Sequence, residues 1–266
     1  MPGRPVRLDD LPTRGDDWVD GDPEVAKSAA QDANGTISAR LGELQERLHA
    51  TKAAKVLVVL QGMDTSGKDS TTRRVFGDGS PLGIRAVPFG RPTEVERAHD
   101  FLWRVHAAAP ADGEIVVFNR SHYEDVLVVR IDELVPAERW ERRFDHLVDF
   151  ERMLVDEGTV VRKFFLHISR DEQHQRLQDR LDDPTKHWKF ESGDLDARAR
   201  WDNYQRAYEE AIARTSTDVA PWYVVPADQK WFRDLVVGSV VLEALEALDM
   251  RWPEPPEGLE HIVIPD

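Results

Sequence analysis

The run Gly62-Met63-Asp64-Thr65-Ser66-Gly67-Lys68-Asp69-Ser70 spells G-x-x-x-x-G-K, directly after the apolar stretch Val56–Leu60 and before a helix-forming segment. Strand, glycine loop, lysine and helix in that order make a phosphate cradle. Gly62 and Gly67 let the chain bend so that the N–H groups of Met63, Thr65, Ser66 and their neighbours converge on phosphate oxygens. The next helix offers its positive end, and Lys68 reaches the outer phosphates. Two residues depart from the usual loop. Asp69 stands where a Ser or Thr normally follows the lysine, with Ser70 one place later. Asp64 puts a carboxylate inside the cradle, which repels phosphate unless a cation lies between them or a proton is shared. Asp64 is therefore read as a ligand of Mg²⁺, with Mn²⁺ as a substitute. The plain alternative is a Gly-rich turn without function.

A second polar burst follows a second apolar run. Ile115–Phe118 leads into Asn119-Arg120-Ser121-His122-Tyr123-Glu124-Asp125, then Val126–Arg130. Polar residues at the carboxyl end of a buried strand fall beside the phosphate loop. Enzymes with such a loop place an acidic metal ligand there. Asn119 cannot serve, which leaves Glu124 and Asp125 to take over. Arg120 and Arg130 offer forked donors for phosphate oxygens. His122 reads equally well as a phosphate contact or as a buried structural histidine. Further on, Arg176 and Arg180 share a helix face, followed by Lys186, Trp188 and Lys189. Cations interleaved with an aromatic suit a lid closing over phosphates, and also suit an ordinary solvated helix pair. Arg73, Arg74 and Arg91 are further candidates for a polyanion track.

These residues need a scaffold that brings strand ends together. Short apolar runs at Val56–Leu60, Ile84–Phe89, Ile115–Phe118, Phe164–Ile168 and Trp222–Val225 alternate with helical text. That helical text covers Asp22–Ala50, Lys68–Phe76, Thr93–Ala109, Ala137–Asp156, Asp171–Leu181, Asp194–Thr215 and Trp231–Leu248. The alternation predicts an α/β fold: a five-stranded parallel sheet flanked by helices on both faces. Residues 1–22 read as an extended arm, and 23–266 as one domain whose excursion at about 171–215 forms a helical lid.

The 266 residues contain no cysteine, so any metal must take oxygen or imidazole ligands. A net charge of −15 argues against general nucleic-acid binding, so a polyanion site must be a confined basic groove on an acidic surface. No apolar stretch approaches the ~18 residues a membrane span requires. Met1–Asp20 lacks a signal-like apolar segment, and the expected location is the cytoplasm.

Beyond single motifs, several segments together resemble the family 2 polyphosphate kinases. They are Leu60–Asp69, Phe101-Leu102-Trp103-Arg104-Val105-His106, Phe118–Leu127, Trp188-Lys189-Phe190 with Gly193-Asp194-Leu195, and Thr215-Ser216-Thr217 leading to Ala220-Pro221-Trp222-Tyr223-Val224. The likeness runs from about residue 35 to 250. It implies a thymidylate-kinase-like P-loop fold with a lid, Mg²⁺-dependent transfer between inorganic polyphosphate and AMP, ADP and ATP, and homodimers or homotetramers. By position, the resemblance makes Asp64 and Lys68 the loop residues of the site, Arg120 its strand-end arginine, and Glu124 the residue that admits AMP beside ADP. Rival readings are an ATP-dependent nucleoside monophosphate kinase and a regulatory module that binds nucleotide without turnover.

Overall fold

The computed structural model describes residues 4–18 and 21–265; residues 1–3 and 19–20 of the expected arm, and residue 266, lie outside the described residues. Five strands, β1 (Lys55–Gln61), β2 (Ile84–Pro88), β3 (Ile115–Asn119), β4 (Thr159–His167) and β5 (Trp222–Pro226), form one sheet in the order β2-β3-β1-β4-β5. Every pairing is parallel. All carboxyl ends therefore share one edge, and β1, flanked on both sides, delivers the phosphate loop to the middle of it. The continuous Val-Leu-Ile text of β1 and β3 follows from burial on both faces.

Among the described residues there are ten α-helices: α1 (Pro23–Thr51), α2 (Lys68–Val75), α3 (Glu94–Arg97), α4 (Trp103–Ala108), α5 (Val128–Ile131), α6 (Ala137–Asp156), α7 (Arg170–Asp182), α8 (Ser192–Ala199), α9 (Trp201–Thr215) and α10 (Lys230–Glu246). Helix α1 starts on Pro23 with Asp22 capping the Glu24 N–H, and buries Leu41, Leu44 and Leu48. It lies along α10, which also meets α2, while α6 packs on β4 and α9.

Two predicted helices are each broken in two. Thr93–Ala109 divides into α3 and α4 around Asp100, whose Oδ1 accepts the Leu102 N–H at 3.0 Å. Asp194–Thr215 divides at Arg200, whose side chain reaches across to Asp132 at 2.6 Å. In the first place a local side-chain-to-backbone bond competes with the helix, and in the second a long-range ion pair holds the break.

Strand β4 begins five residues before the predicted Phe164 because it carries a buried lysine. Lys163 is 0% exposed, and its three ammonium protons meet Glu151 Oε2 at 2.5 Å, the Thr215 carbonyl at 2.8 Å and Tyr123 Oη at 2.9 Å. Burial lowers the lysine pKa and the neighbouring Glu151 carboxylate raises it, the net being downward. Glu151 Oε1 also accepts from Tyr123 Oη at 2.8 Å and faces His122 Nε2 at 3.2 Å. One ion pair thus ties α6, β4, the end of α9 and the turn after β3. Lys163→Met strands the carboxylate and is expected to lower unfolding stability by ~3–5 kcal/mol in urea titration. Glu151→Leu added to it should recover part of the loss; a single variant as stable as wild type would refute this role.

Candidate active site

The loop between β1 and α2 has the geometry its glycines predict. Gly62 and Gly67 have φ of 150° and 102°. A Cβ on Gly67 would lie 1.9 Å from Arg233 Nη1, so only glycine fits beneath that guanidinium. Thr65 and Arg120 also adopt positive φ, 68° and 60°. Neither is glycine, and both border the same cavity, so two of the strained backbone positions fall at the site.

That cavity, of about 380 Å³, is lined by eight basic and five acidic side chains, although the whole chain carries −15. Asp64, Thr65, Gly67, Lys68, Asp69, Ser70, Asn119, Arg120, Arg180, Lys186 and Lys189 all border it. The sheet edge and the 171–215 excursion together therefore form the confined basic pocket that the charge balance called for. Lys68, 8% exposed, donates to the Gly62 carbonyl at 2.8 Å and the Met63 carbonyl at 3.2 Å. Burial and the Arg120 charge push its pKa down to about 8, against the pull of Asp64, Glu124 and Asp69. Arg120 Nη2 donates to Asp64 Oδ1 at 2.7 Å. Burial opposes the charge on Arg120, but Glu124 and Asp64 outweigh it and raise its pKa. Glu124 is raised in turn, chiefly by burial, with Arg120 and Lys68 pulling the other way. Lys68, Arg120, Asp64 and Glu124 are thus one coupled group.

The hydroxyl oxygens of Thr65 and Ser66 are buried without a partner among the described residues. Thr65 borders the cavity, where a phosphate oxygen can pair with its hydroxyl, whereas Ser66 is 0% exposed and its hydroxyl packs under Gly62. Asp64 and Asp69 supply carboxylate oxygens, and Asn119 Nδ2 makes a very short contact with Asp69. No cluster of three or more acidic or histidine residues able to cage an ion exists among the described residues. One or two carboxylates beside a phosphate cradle fit a divalent ion that takes its remaining ligands from phosphate and water.

Other expected site residues are placed elsewhere. His122 is fully buried against Glu151, its structural alternative. Asp125, paired with Asp64 as a metal ligand in the sequence reading, is not brought to it: its carboxylate meets Arg143 at 3.0 Å and Arg104 at 3.8 Å. Arg130 pairs with Glu210 and lies over the Trp140 ring. Arg73 and Arg74 line a second cavity on the α1 and α10 side of α2, joined to the first by Lys230, which borders both. Arg91 is exposed after β2. Arg180 lines the main cavity but donates to Asp194 and the Lys189 carbonyl, both at 3.0 Å. Lys186 pairs with Asp183 at 2.8 Å.

Comparison with known proteins decides the family. The polyphosphate kinase 2 profile matches residues 24–253. The chain belongs to the polyphosphate kinase 2 family. It is 56% identical over 241 residues to the AMP/ADP-polyphosphate phosphotransferase of Meiothermus ruber, covering 91% of this chain and 90% of that protein. It is 39% identical over 264 residues to the ADP-polyphosphate phosphotransferase of Rhodopseudomonas palustris, covering 95% and 90%. The crystal structure of polyphosphate kinase 2 from Arthrobacter aurescens TC1 superposes with a TM-score of 0.86 at 43% identity, covering 88% of this chain and 84% of that one. The fold is accordingly the P-loop kinase fold of this family, and the chain is a phosphotransferase.

The sequence reading passed over Arg233, Lys230, Tyr204 and Tyr208. Arg233 Nη2 donates to Ser70 Oγ at 3.0 Å and Nη1 to the Ser66 carbonyl at 3.4 Å, with Asp234 neutralising it. An Arg-Asp pair inside the apolar text Trp231-Phe232-Arg233-Asp234-Leu235-Val236 was the signal available. Tyr208 feels both Glu124 and Asp64, which together with burial raise its pKa; Tyr204 is pushed up to about 12, mainly by burial.

The lowered pKa of Lys68 gives a pH prediction. Its ammonium form dominates below pH about 8 and is lost above it. In the free enzyme, kcat/KM for an anionic substrate should fall as pH rises through about 8, whereas kcat, with phosphate oxygens on the ammonium, should hold to higher pH. A kcat/KM profile flat across that range would exclude Lys68 as the titrating group.

Proposed function

We propose that this chain transfers phosphoryl groups from inorganic polyphosphate to AMP and ADP, making ADP and ATP. The observation that carries this reading is the net-positive cavity around Lys68 and Arg120 on a strongly acidic chain. The 56% identical relative, named for AMP/ADP-polyphosphate transfer, supports the substrate pair.

In this reading the acceptor nucleotide lies with its terminal phosphate toward Glu124 and Arg120, and the end of the polyphosphate chain lies over the loop. A terminal phosphate oxygen of the nucleotide forms the new P–O bond to the terminal phosphorus of polyphosphate. The bond to the next bridging oxygen breaks, and the chain leaves one phosphate shorter. The nucleophile is already largely ionised, since a phosphate second pKa is ~6, so no strong general base is required. Lys68, Arg120 and the loop N–H groups align the two anions and stabilise charge on the transferred phosphoryl group. Asp64 would hold Mg²⁺, or Mn²⁺ in its place, and the ion would offset phosphate charge.

The segment of about 171–215 acts as the lid in this reading, its cations Arg180, Lys186 and Lys189 bordering the same cavity. Residues 23–266 function as one domain. The enzyme works in the cytoplasm as a homodimer or homotetramer, without nucleic-acid or membrane partners; among the described residues no helix is long and apolar enough to cross a membrane.

The deciding assay supplies Mg²⁺, long-chain polyphosphate and either AMP or ADP, and follows ADP and ATP. Product from both acceptors is expected. Transfer from ATP to a nucleoside monophosphate, without use of polyphosphate, would instead mean an ATP-dependent kinase on this fold. Lys68→Ala should lower kcat by about 10²–10³-fold with the unfolding transition little changed. Asp64→Asn should shift half-maximal activity to higher Mg²⁺, and an unmoved Mg²⁺ titration would remove Asp64 as a ligand.

A further inference from the structure

The family profile begins at residue 24, yet the segment before it is built into the protein. Leu8 is 0% exposed, and its N–H donates to Glu209 Oε1 on α9 at 2.7 Å. Thr13 grips Asp228 twice: Oγ1 donates to Oδ2 at 2.7 Å, and the Thr13 carbonyl accepts the Asp228 N–H at 3.0 Å. The Gly15 N–H donates to Gln229 Oε1 at 2.9 Å. Gly15 lies so flat on the Phe232 ring that a Cβ would come within 2.3 Å of it. Thr13 and Gly15 thus grip Asp228 and Gln229, in the turn between β5 and α10, while Leu8 anchors the arm to α9.

That turn is one end of a buried bridge. Arg176, on α7, has five N–H donors. Nε meets Glu172 Oε1 at 2.7 Å; Nη1 meets the carbonyls of Thr65 at 2.9 Å and Ser66 at 3.2 Å; Nη2 meets those of Ala227 at 2.7 Å and Asp228 at 2.9 Å. All five are engaged, so although Arg176 borders the cavity it has no donor left for a phosphate oxygen. Its effect is to fix the phosphate loop against the turn that the arm holds. The loop needs such a fixture: Thr65, β-branched, sits at φ 68°, a conformation it would leave if unconstrained. Asp228 is further fixed from α7, its Oδ1 accepting the Ser169 N–H at 2.8 Å.

We propose that Thr13 and Gly15, in an arm that Leu8 anchors to α9, are positioning residues for phosphoryl transfer, acting on the Thr65 and Ser66 peptides through the Asp228–Gln229 turn and Arg176. This rests on the P-loop reading of the site, though not on polyphosphate being the donor.

The test is a double-variant cycle in the full chain with Thr13→Val, Leu8→Ala and Arg176→Met. Each variant is measured for kcat, for KM and for the dissociation constant of ATP, normalised to folded protein. Thr13→Val should lower kcat or weaken ATP binding by about tenfold, and Thr13→Ser, which keeps the hydroxyl, should restore it. In the Arg176→Met background neither arm variant should lower activity further. If Arg176→Met does not fold, Arg176→Lys, which keeps the charge but loses the fork, replaces it. Additive losses would overturn the proposal. So would an arm variant that lowers only the unfolding temperature and leaves kcat and ATP binding intact. Because ATP binding is read directly, coupling seen there without turnover from polyphosphate would sink the donor assignment alone and leave the arm's role standing.

Discussion

A phosphate loop works only if its peptide N–H groups face inward, and that turns its carbonyls outward into the body of the protein, where each needs a donor. From Gly62 to Gly67 every carbonyl has one. Lys68 takes Gly62 and Met63, Gln173 takes Asp64, and Arg176 takes Thr65 and Ser66. Arg233 shares Ser66, and Gly67 accepts from Thr71 N and Ser70 Oγ. Three of these donors belong to cationic side chains that are almost fully buried. Charge-assisted donors bind a carbonyl more strongly than neutral ones do, and two of the three reach in from helices far along the chain. The conformation of the six residues from Gly62 to Gly67 thus depends on α7 and α10, and no local propensity would maintain it.

Burying cations around a loop carries an electrostatic consequence. Beyond the effect of burial, Lys68 is lowered by the nearby Arg120, and Arg233 by Arg176 and Arg74. The chain limits this by interleaving carboxylates: Asp64 on Arg120, Asp234 on Arg233, Glu172 on Arg176. The cavity is left modestly positive instead of saturated with unpaired cations. Such a site can accept and release a highly charged ligand, because phosphates compete with carboxylates already in place. The buried pair Glu151–Lys163 does the same for the neighbouring wall, holding His122 and Tyr123 so that Glu124 on the same turn faces Arg120 and Lys68.

How much of this the sequence disclosed depended on range. The loop, its strand and the helix behind it are contiguous, and their spacing placed Gly62, Gly67 and Lys68 without ambiguity. The five-stranded parallel sheet followed from βαβ alternation, its order did not, and α6 was bounded to the residue. What was not legible is the partner of each polar residue. Lys163 looked like a strand boundary because its neutralising Glu151 lies on another element. Asp125 resembled a metal ligand because nothing in the text shows Arg143 folding onto it. Arg176 resembled a phosphate contact because the four carbonyls that occupy its guanidinium come from residues 65, 66, 227 and 228. A motif states which chemistry is available; tertiary contacts decide which side chains remain free to perform it.

The same reasoning explains why the excursion at 171–215 can carry cations over the cavity without collapsing the loop beneath. Its first turns are fixed: Ser169 caps the Glu172 N–H, Gln173 is buried, and Arg176 spans the loop and the β5–α10 turn. Beyond Leu177 the contacts become exposed and reversible. Lys186 sits on Asp183 at the surface and Lys189 lies over the exposed Trp188 ring, whereas Arg180 meets the buried Asp194 carboxylate at the cavity rim and is held more firmly. Exposed pairs of this kind are worth ~0–1 kcal/mol, so exchanging them for phosphate oxygens carries little penalty. Helix α7 therefore has two functions divided along its length. Its amino-terminal half holds the loop through Gln173 and Arg176, and in the lid proposed above the carboxyl-terminal half and the segment after it are the part that responds to a polyanion.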